Sequence, residues 1–214
     1  MKKLVIYSAL LLGLVTLSNT TVAQKTGSNS LLIGTQIWMT KNLNVSTFRN
    51  GDKITEVRDY KEWQKAGETG KPAWCYPNFD TTVGKKYGKL YNWHAVHDPR
   101  GLAPKGWHVA SDSEWTVLSD FLGGNDAAGQ KLKNKTGWKQ GDNGTNESGF
   151  SAMPAGYRYI YGYFYDFDNN AYWWTSTETG KYDAWYRGIF MSGTAVSKLK
   201  YDKGHGFSVR CIKD

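Results

Sequence analysis

The apolar positions of this chain follow two rhythms, a helical one before residue 150 and a strand-like one after it. The helical rhythm is sharpest over 111–124 (SDSEWTVLSDFLGG), where Trp115, Leu118, Phe121 and Leu122 fall on one face. Ser111 with Glu114 three residues later forms a capping-box pattern, and Gly123-Gly124 gives the stop. A second helix is expected over 126–133, with Ala127, Ala128 and Leu132 inward. A short third one is expected over 59–66 (DYKEWQKA), carrying Tyr60 and Trp63. Residues 31–39 (LLIGTQIWM) read as strand with a turn at Gly34. Residues 73–76 read as extended, and 87–96 as a strand leading into a helical turn. Residues 67–72, 77–84, 98–106 and 141–149 read as loops, rich in Gly, Pro, Asn and Asp. Beyond Phe150 the pattern predicts strands over 157–165, 171–175, 184–191, 195–200 and 206–212. Helices followed by a run of antiparallel strands define an α+β class, with loops packed onto a small sheet. The expected core is Trp107, Trp115, Leu118, Trp138, Phe150, Trp174, Val209 and Ile212.

The first 23 residues break this pattern. Lys2 and Lys3 precede an apolar run over 4–17, and Thr21-Val22-Ala23 supplies small residues before Gln24. That is the order of a secretory signal peptide, too short and too soon polar for a spanning helix. No Cys stands at the cleavage point, which argues against a lipid anchor, and no later stretch is apolar enough to span a membrane. The expected organisation is a signal peptide over 1–23, a leader over 24–32 and one domain over 33–214. Export to the periplasm, the cell surface or the medium is expected. Without Lys2 and Lys3, the 27 basic residues fall to 25 against 19 acidic ones, a net charge of +6. The excess is dispersed along the chain, and nucleic acid is not an expected partner. In an oxidising compartment the two cysteines, Cys75 and Cys211, favour a disulfide. Closing a loop of that length would contribute roughly 4–5 kcal/mol. Two buried free thiols are the alternative.

Aromatic residues change the picture most. Eight of the 14 tyrosines and three of the 10 tryptophans fall over 157–186, more polar-tipped rings than a core requires. Such rings give large contact area at low entropy cost, the signature of a recognition surface. Tyr157, Tyr159, Tyr161, Tyr163 and Tyr165 share one parity, so a regular strand would line them on one face, unless Gly162 breaks the register. Trp173 and Trp174 must point to opposite faces. The exposed candidates for ligand binding are Tyr161, Tyr163, Tyr165, Asp166, Asp168, Asn169, Tyr182 and Asp183, which flank loops at one end of the expected sheet.

Seven segments occur in a recognisable order: IGTQIWMTKNLNV from Ile33, YGKLYNWHAV from Tyr87, LAPKGWHVASDSEWTVL from Leu102, AGYRY from Ala155, YWWTSTE from Tyr172, AWYR from Ala184 and GFSVRCIKD from Gly206. On these the chain resembles the Fibrobacter succinogenes major paralogous domain family, common in exported proteins of Bacteroidetes and Fibrobacteres. That family is similar to the C-type-lectin-like group, which also holds formylglycine-generating enzymes and the variable receptor proteins of diversity-generating retroelements. The resemblance implies a compact domain with two main helices and a twisted antiparallel sheet.

Each chemistry of that group has a counterpart to weigh. Calcium needs several converging oxygens. Residues 142–147 and 166–170 have the right types but match no EF-hand loop, and the lectin triplets Glu-Pro-Asn, Gln-Pro-Asp and Trp-Asn-Asp do not occur. The same residues are ordinary turn formers. No cofactor is expected, calcium being the one ion these residue types would suit. A formylglycine-generating oxidase would need Cys75 and Cys211 as a reactive copper-holding pair. His94, His97, His108 and His205 show no metal spacing, no elbow motif supports a serine triad, and no acid pair is identifiable. The reading is an exported, non-enzymatic recognition module that binds a glycan or surface protein. The alternatives are a structural envelope or surface subunit, and an enzyme of the formylglycine-generating type.

Overall fold

The computed structural model describes residues 24–27 and 29–214; the expected signal peptide over 1–23 lies outside the described residues. The architecture is α+β, with several largely antiparallel sheets and five α-helices among the described residues. A five-stranded antiparallel sheet runs in the order Gln24–Gly27, Ser30–Ile33, Gln36–Met39, Cys211–Lys213 and Trp107–Val109. A four-stranded sheet runs Ser197–Asp202, Asp183–Ile189, Ala171–Glu178 and Ser208–Val209, the last pair parallel. Thr55–Glu56, Ala73–Cys75 and Leu90–Tyr91 form a small third sheet.

The strand Ala171–Glu178 divides the interior. Side chains alternate across a strand, so Tyr172 and Trp174 enter one hydrophobic cluster while Ala171 and Trp173 enter another. Both tryptophans are fully buried. The second cluster is closed by the helix Asp112–Phe121 through Trp115, Leu118 and Leu122. Its capping box is formed: Ser111 N–H donates to Glu114 Oε2 at 2.7 Å, and Glu114 N–H donates to Ser111 Oγ at 3.3 Å. Phe121, expected inward, is 40% exposed. It lies at the edge of the helical stripe, against the turn at Gly34. A third cluster sits under the helices α1 (Tyr60–Glu68) and α2 (Thr81–Tyr87) and contains Trp63, Cys75, Tyr87 and Met153. Of the expected core, Trp107 alone is half-buried, packed against the first cluster.

Four expectations need correction. Residues 77–84 are not all loop: Asp80 caps α2, accepting from Thr82 N–H at 2.7 Å and Val83 N–H at 3.2 Å. Residues 157–165 are not one strand but a hairpin of Tyr157–Arg158 and Phe164–Tyr165, with Tyr157 opposite Tyr165. The expected last strand is split, because the chain leaves the four-stranded sheet at Val209 and joins the five-stranded one at Cys211. Finally, Cys75 and Cys211 do not form a disulfide; both are free and buried. The strand Ala73–Cys75 turns Trp74 into the first cluster and Cys75 into the third, whereas Cys211 packs in the first. Burial pushes each thiol up to about 12. No helix among the described residues is long and apolar enough to cross a membrane.

Candidate functional site

The aromatic hairpin is held from beneath by Arg158, which is fully buried. Its Nε donates to the Gly162 carbonyl at 3.0 Å, Nη1 to Val57 at 2.5 Å and Nη2 to Asp59 at 3.0 Å. The guanidinium also lies 4.3 Å from the Trp63 ring centroid and 4.9 Å from that of Phe79. The tip turns at Gly162, whose N–H donates to the Tyr159 carbonyl at 2.8 Å. Gly162 has φ +90°, and a Cβ there would lie 2.7 Å from Tyr60 Cα. Only glycine satisfies both conditions. The hairpin therefore rests on α1 and turns Tyr161 and Tyr163 outward, 50% and 52% exposed.

A second segment, residues 178–182, is gathered by Lys203. Its Nζ donates to the Glu178 carboxylate, to the Gly180 carbonyl at 2.8 Å and to the Lys181 carbonyl at 2.9 Å. It also sits 4.7 Å from the Trp93 ring centroid, and its backbone N–H donates to the Tyr182 carbonyl at 2.9 Å. This buried cation leaves Tyr182 as the most exposed large ring, at 65%.

Tyr161 and Tyr182 line the same cleft, of about 440 Å³, together with Gln64, Glu68, His94, Lys181 and Asp202. Its floor brings Gly67 against Gly204: a Cβ on Gly67 would lie 3.0 Å from Gly204 Cα. Side chains there would fill the space. His94 Nε2 lies 3.1 Å from the Gly67 carbonyl. A carbonyl only accepts, so Nε2 carries the proton and Nδ1 is left as an acceptor. Burial lowers the pKa of His94, with a contribution from Lys203, and keeps the ring neutral. Glu68 accepts from Gln64 Nε2 at 2.7 Å, and Asp202 accepts from Gly204 N–H at 2.7 Å. The cleft thus combines two exposed rings with carboxylate, imidazole and ammonium groups.

The eight expected ligand-binding residues divide. Tyr161 and Tyr182 meet in the cleft. Tyr163 packs on Tyr60 with centroids 5.1 Å apart, and Tyr165 stacks on Tyr157 at 5.6 Å. Asp166 accepts the Tyr172 hydroxyl, and Asp168 accepts the Tyr87 hydroxyl at 3.2 Å. Burial and then the Asp168 charge push Tyr87 up to about 12. These two aspartates hold positive φ and serve the turn. Asn169 follows in that turn, its N–H bonded to the Asp166 carbonyl at 3.0 Å. Asp183 is half-buried, opposite Asp202 in the strand register. The sequence reading did not place Gln64, Glu68, His94 or Asp202 in the site. Glycines at 67 and 204 were the signal, since close approach needs them, but sequence does not pair them. No group of three or more His, Cys, Asp or Glu among the described residues could hold a metal ion.

Fold and site together define an α+β domain with an aromatic cleft built from its C-terminal turns. Residues 31–213 match the Fibrobacter succinogenes major domain, and the chain belongs to that family. No curated protein and no solved structure matches it.

Proposed function

We propose that this protein is an exported, non-enzymatic recognition module of the C-type-lectin-like group, and that the cleft between Tyr161 and Tyr182 binds a glycan. One observation carries the reading: two half-exposed tyrosines from separate turns line a cleft that also offers carboxylate, imidazole and ammonium groups. Aromatic faces stack on sugar rings, and mixed donors and acceptors suit sugar hydroxyls. The signal-peptide pattern over 1–23 supports export. The thiols weigh against the formylglycine-generating alternative alone, because neither is an open, low-pKa nucleophile. Two α-helices of nine and ten residues, the longer packed on the antiparallel strands Ala171–Glu178 and Asp183–Ile189, support the proposed group.

The test is a glycan array with the folded protein, run with calcium and with EDTA. One glycan class is expected to bind, and Tyr161→Ala with Tyr182→Ala to weaken binding by about tenfold or more, since each stacked ring is worth roughly 0.5–1.5 kcal/mol beyond its area. Unaltered binding in the double variant sinks the assignment. A second reading, contact with a surface protein, is favoured by Tyr60, Tyr163 and Tyr165, which are about half exposed outside the cleft. A blank array from folded protein shifts the weight to it.

A further inference from the structure

Among the described residues six lysine and arginine side chains are buried: Lys89, Lys133, Arg158, Arg187, Lys203 and Arg210. Three are matched by carboxylates, Lys133 with Asp142 at 2.7 Å, Arg187 with Asp112 at 2.7 Å and Lys203 with Glu178. Burying a cation without a counter-charge is costly. Arg158 is covered by the rings of Trp63, Phe79 and Phe164. Lys89 lies 3.8 Å from the Trp74 ring centroid. Arg210 likewise lies over a ring, 3.9 Å from the Phe150 centroid, and differs in where it sits. It is 1% exposed, yet it lines a second cleft. Among the described residues no carboxylate lies within ion-pair distance of it; Nη1 donates to the Met39 and Phe150 carbonyls, both at 2.8 Å, and Nε and Nη2 share Asn42 Oδ1 at 3.2 and 2.9 Å. That leaves one Nη2 hydrogen without an acceptor among the described residues. Burial pulls its pKa down to about 9, which still leaves it charged at neutral pH.

This second cleft, of about 280 Å³, also carries Lys41 and Lys86, both exposed, along with Thr40, Asn134 and Ser151. Neither lysine has an ion-pair partner among the described residues, and no acid lines the space. Its volume falls below the roughly 300–1,000 Å³ of whole-ligand sites. We propose that the cleft formed by Lys41, Lys86 and Arg210 is a subsite for a single oxyanion, a sulfate, phosphate or carboxylate group. Two mobile ammonium groups supply attraction, and the pre-set guanidinium supplies direction. The assignment is independent of the aromatic cleft.

The test is calorimetric titration of the folded protein with sodium sulfate, inorganic phosphate or glucuronate, each at fixed ionic strength against chloride. At least one is expected to bind. Lys41→Gln with Lys86→Gln is expected to weaken that binding about tenfold or more, whereas Lys200→Gln with Lys213→Gln, the same charge change elsewhere on the exposed surface, leaves it within about twofold. The anion is also expected to shift the Arg210 Nε resonance in nitrogen-detected NMR, a readout that needs no change at the buried residue. Preference for sulfate, phosphate or glucuronate identifies the source of the group, and each supports the subsite. No binding by any of the three overturns it, as does equal weakening in the two double variants.

Discussion

Asn42 ties the four-stranded sheet to Tyr87 and Arg210, and its removal gives the most direct test of how the interior is held. Its Oδ1 accepts from Trp173 Nε1 at 2.8 Å and from Arg210 Nε and Nη2 at 3.2 and 2.9 Å. Its Nδ2 donates to the Tyr87 carbonyl at 2.8 Å and to Ser208 Oγ at 3.2 Å. Asn42→Ala deletes all of these at once. The Trp173 N–H belongs to a fully buried ring, and leaving it unpaired costs about 1–3 kcal/mol. The lost bonds to the charged Arg210 add roughly 1.5–3 kcal/mol. The total is about 2.5–6 kcal/mol, with water entering from the cleft setting the lower end. That is a large share of the roughly 5–15 kcal/mol that holds a domain together. Urea unfolding followed by tryptophan fluorescence measures it. Asn42→Asp keeps the acceptor and places a negative charge beside Arg210, so it should cost less than alanine although the Nδ2 donors are gone. A loss under about 1 kcal/mol for Asn42→Ala, or an aspartate variant weaker than the alanine one, refutes the reasoning.

Three further outcomes are expected. The native protein should react negligibly with a thiol reagent and yield two free thiols in denaturant, with no change in melting temperature on adding reductant; fewer than two thiols would restore the disulfide. His108 lies 2.7 Å from both Glu114 and Asp214; burial lowers its pKa, but these carboxylates outweigh burial and the net shift is upward. A raised histidine stabilises the fold fully below its unfolded value near 6.5 and loses that contribution as pH rises through the folded value. The urea midpoint should therefore fall less steeply above about pH 6.5 in His108→Gln than in the wild type, and equal slopes would discount the pair. Gly162→Ala should destabilise by about 1–3 kcal/mol, since it puts a Cβ at positive φ against the α1 backbone; a change within about 0.5 kcal/mol would mean the hairpin does not rest there.

What the sequence disclosed was local. The capping box at Ser111, the turn at Gly34 and the opposed faces of Trp173 and Trp174 each depend on neighbours within a few positions. Residues 157–165 imitate one strand because tyrosines stand at alternate positions, and Gly162, the residue able to break that register, is where the hairpin turns. What holds the hairpin in place is Arg158 reaching the carbonyls of Val57 and Asp59, about a hundred residues away. The site divided on the same line. Tyr161 and Tyr182 were legible as polar-tipped rings beside turn residues. Glu68, His94 and Asp202 join them only because Gly67 meets Gly204, and no pattern of spacing encodes that meeting. The disulfide failed because an expected compartment says that two thiols could pair, not that they lie close enough.

The position of Cys211–Lys213 sets an order of events. This segment is an inner strand, with Ile212 opposite Trp38 on one side and His108 on the other. A nascent chain emerges from its N-terminal end. Until residues 207–213 leave the ribosome, the hairpin ending at Met39 and the strand at Trp107 have nothing between them, and Asn42 has no arginine to hold. The interior can close only once residues 207–213 have emerged and taken their place between those two strands.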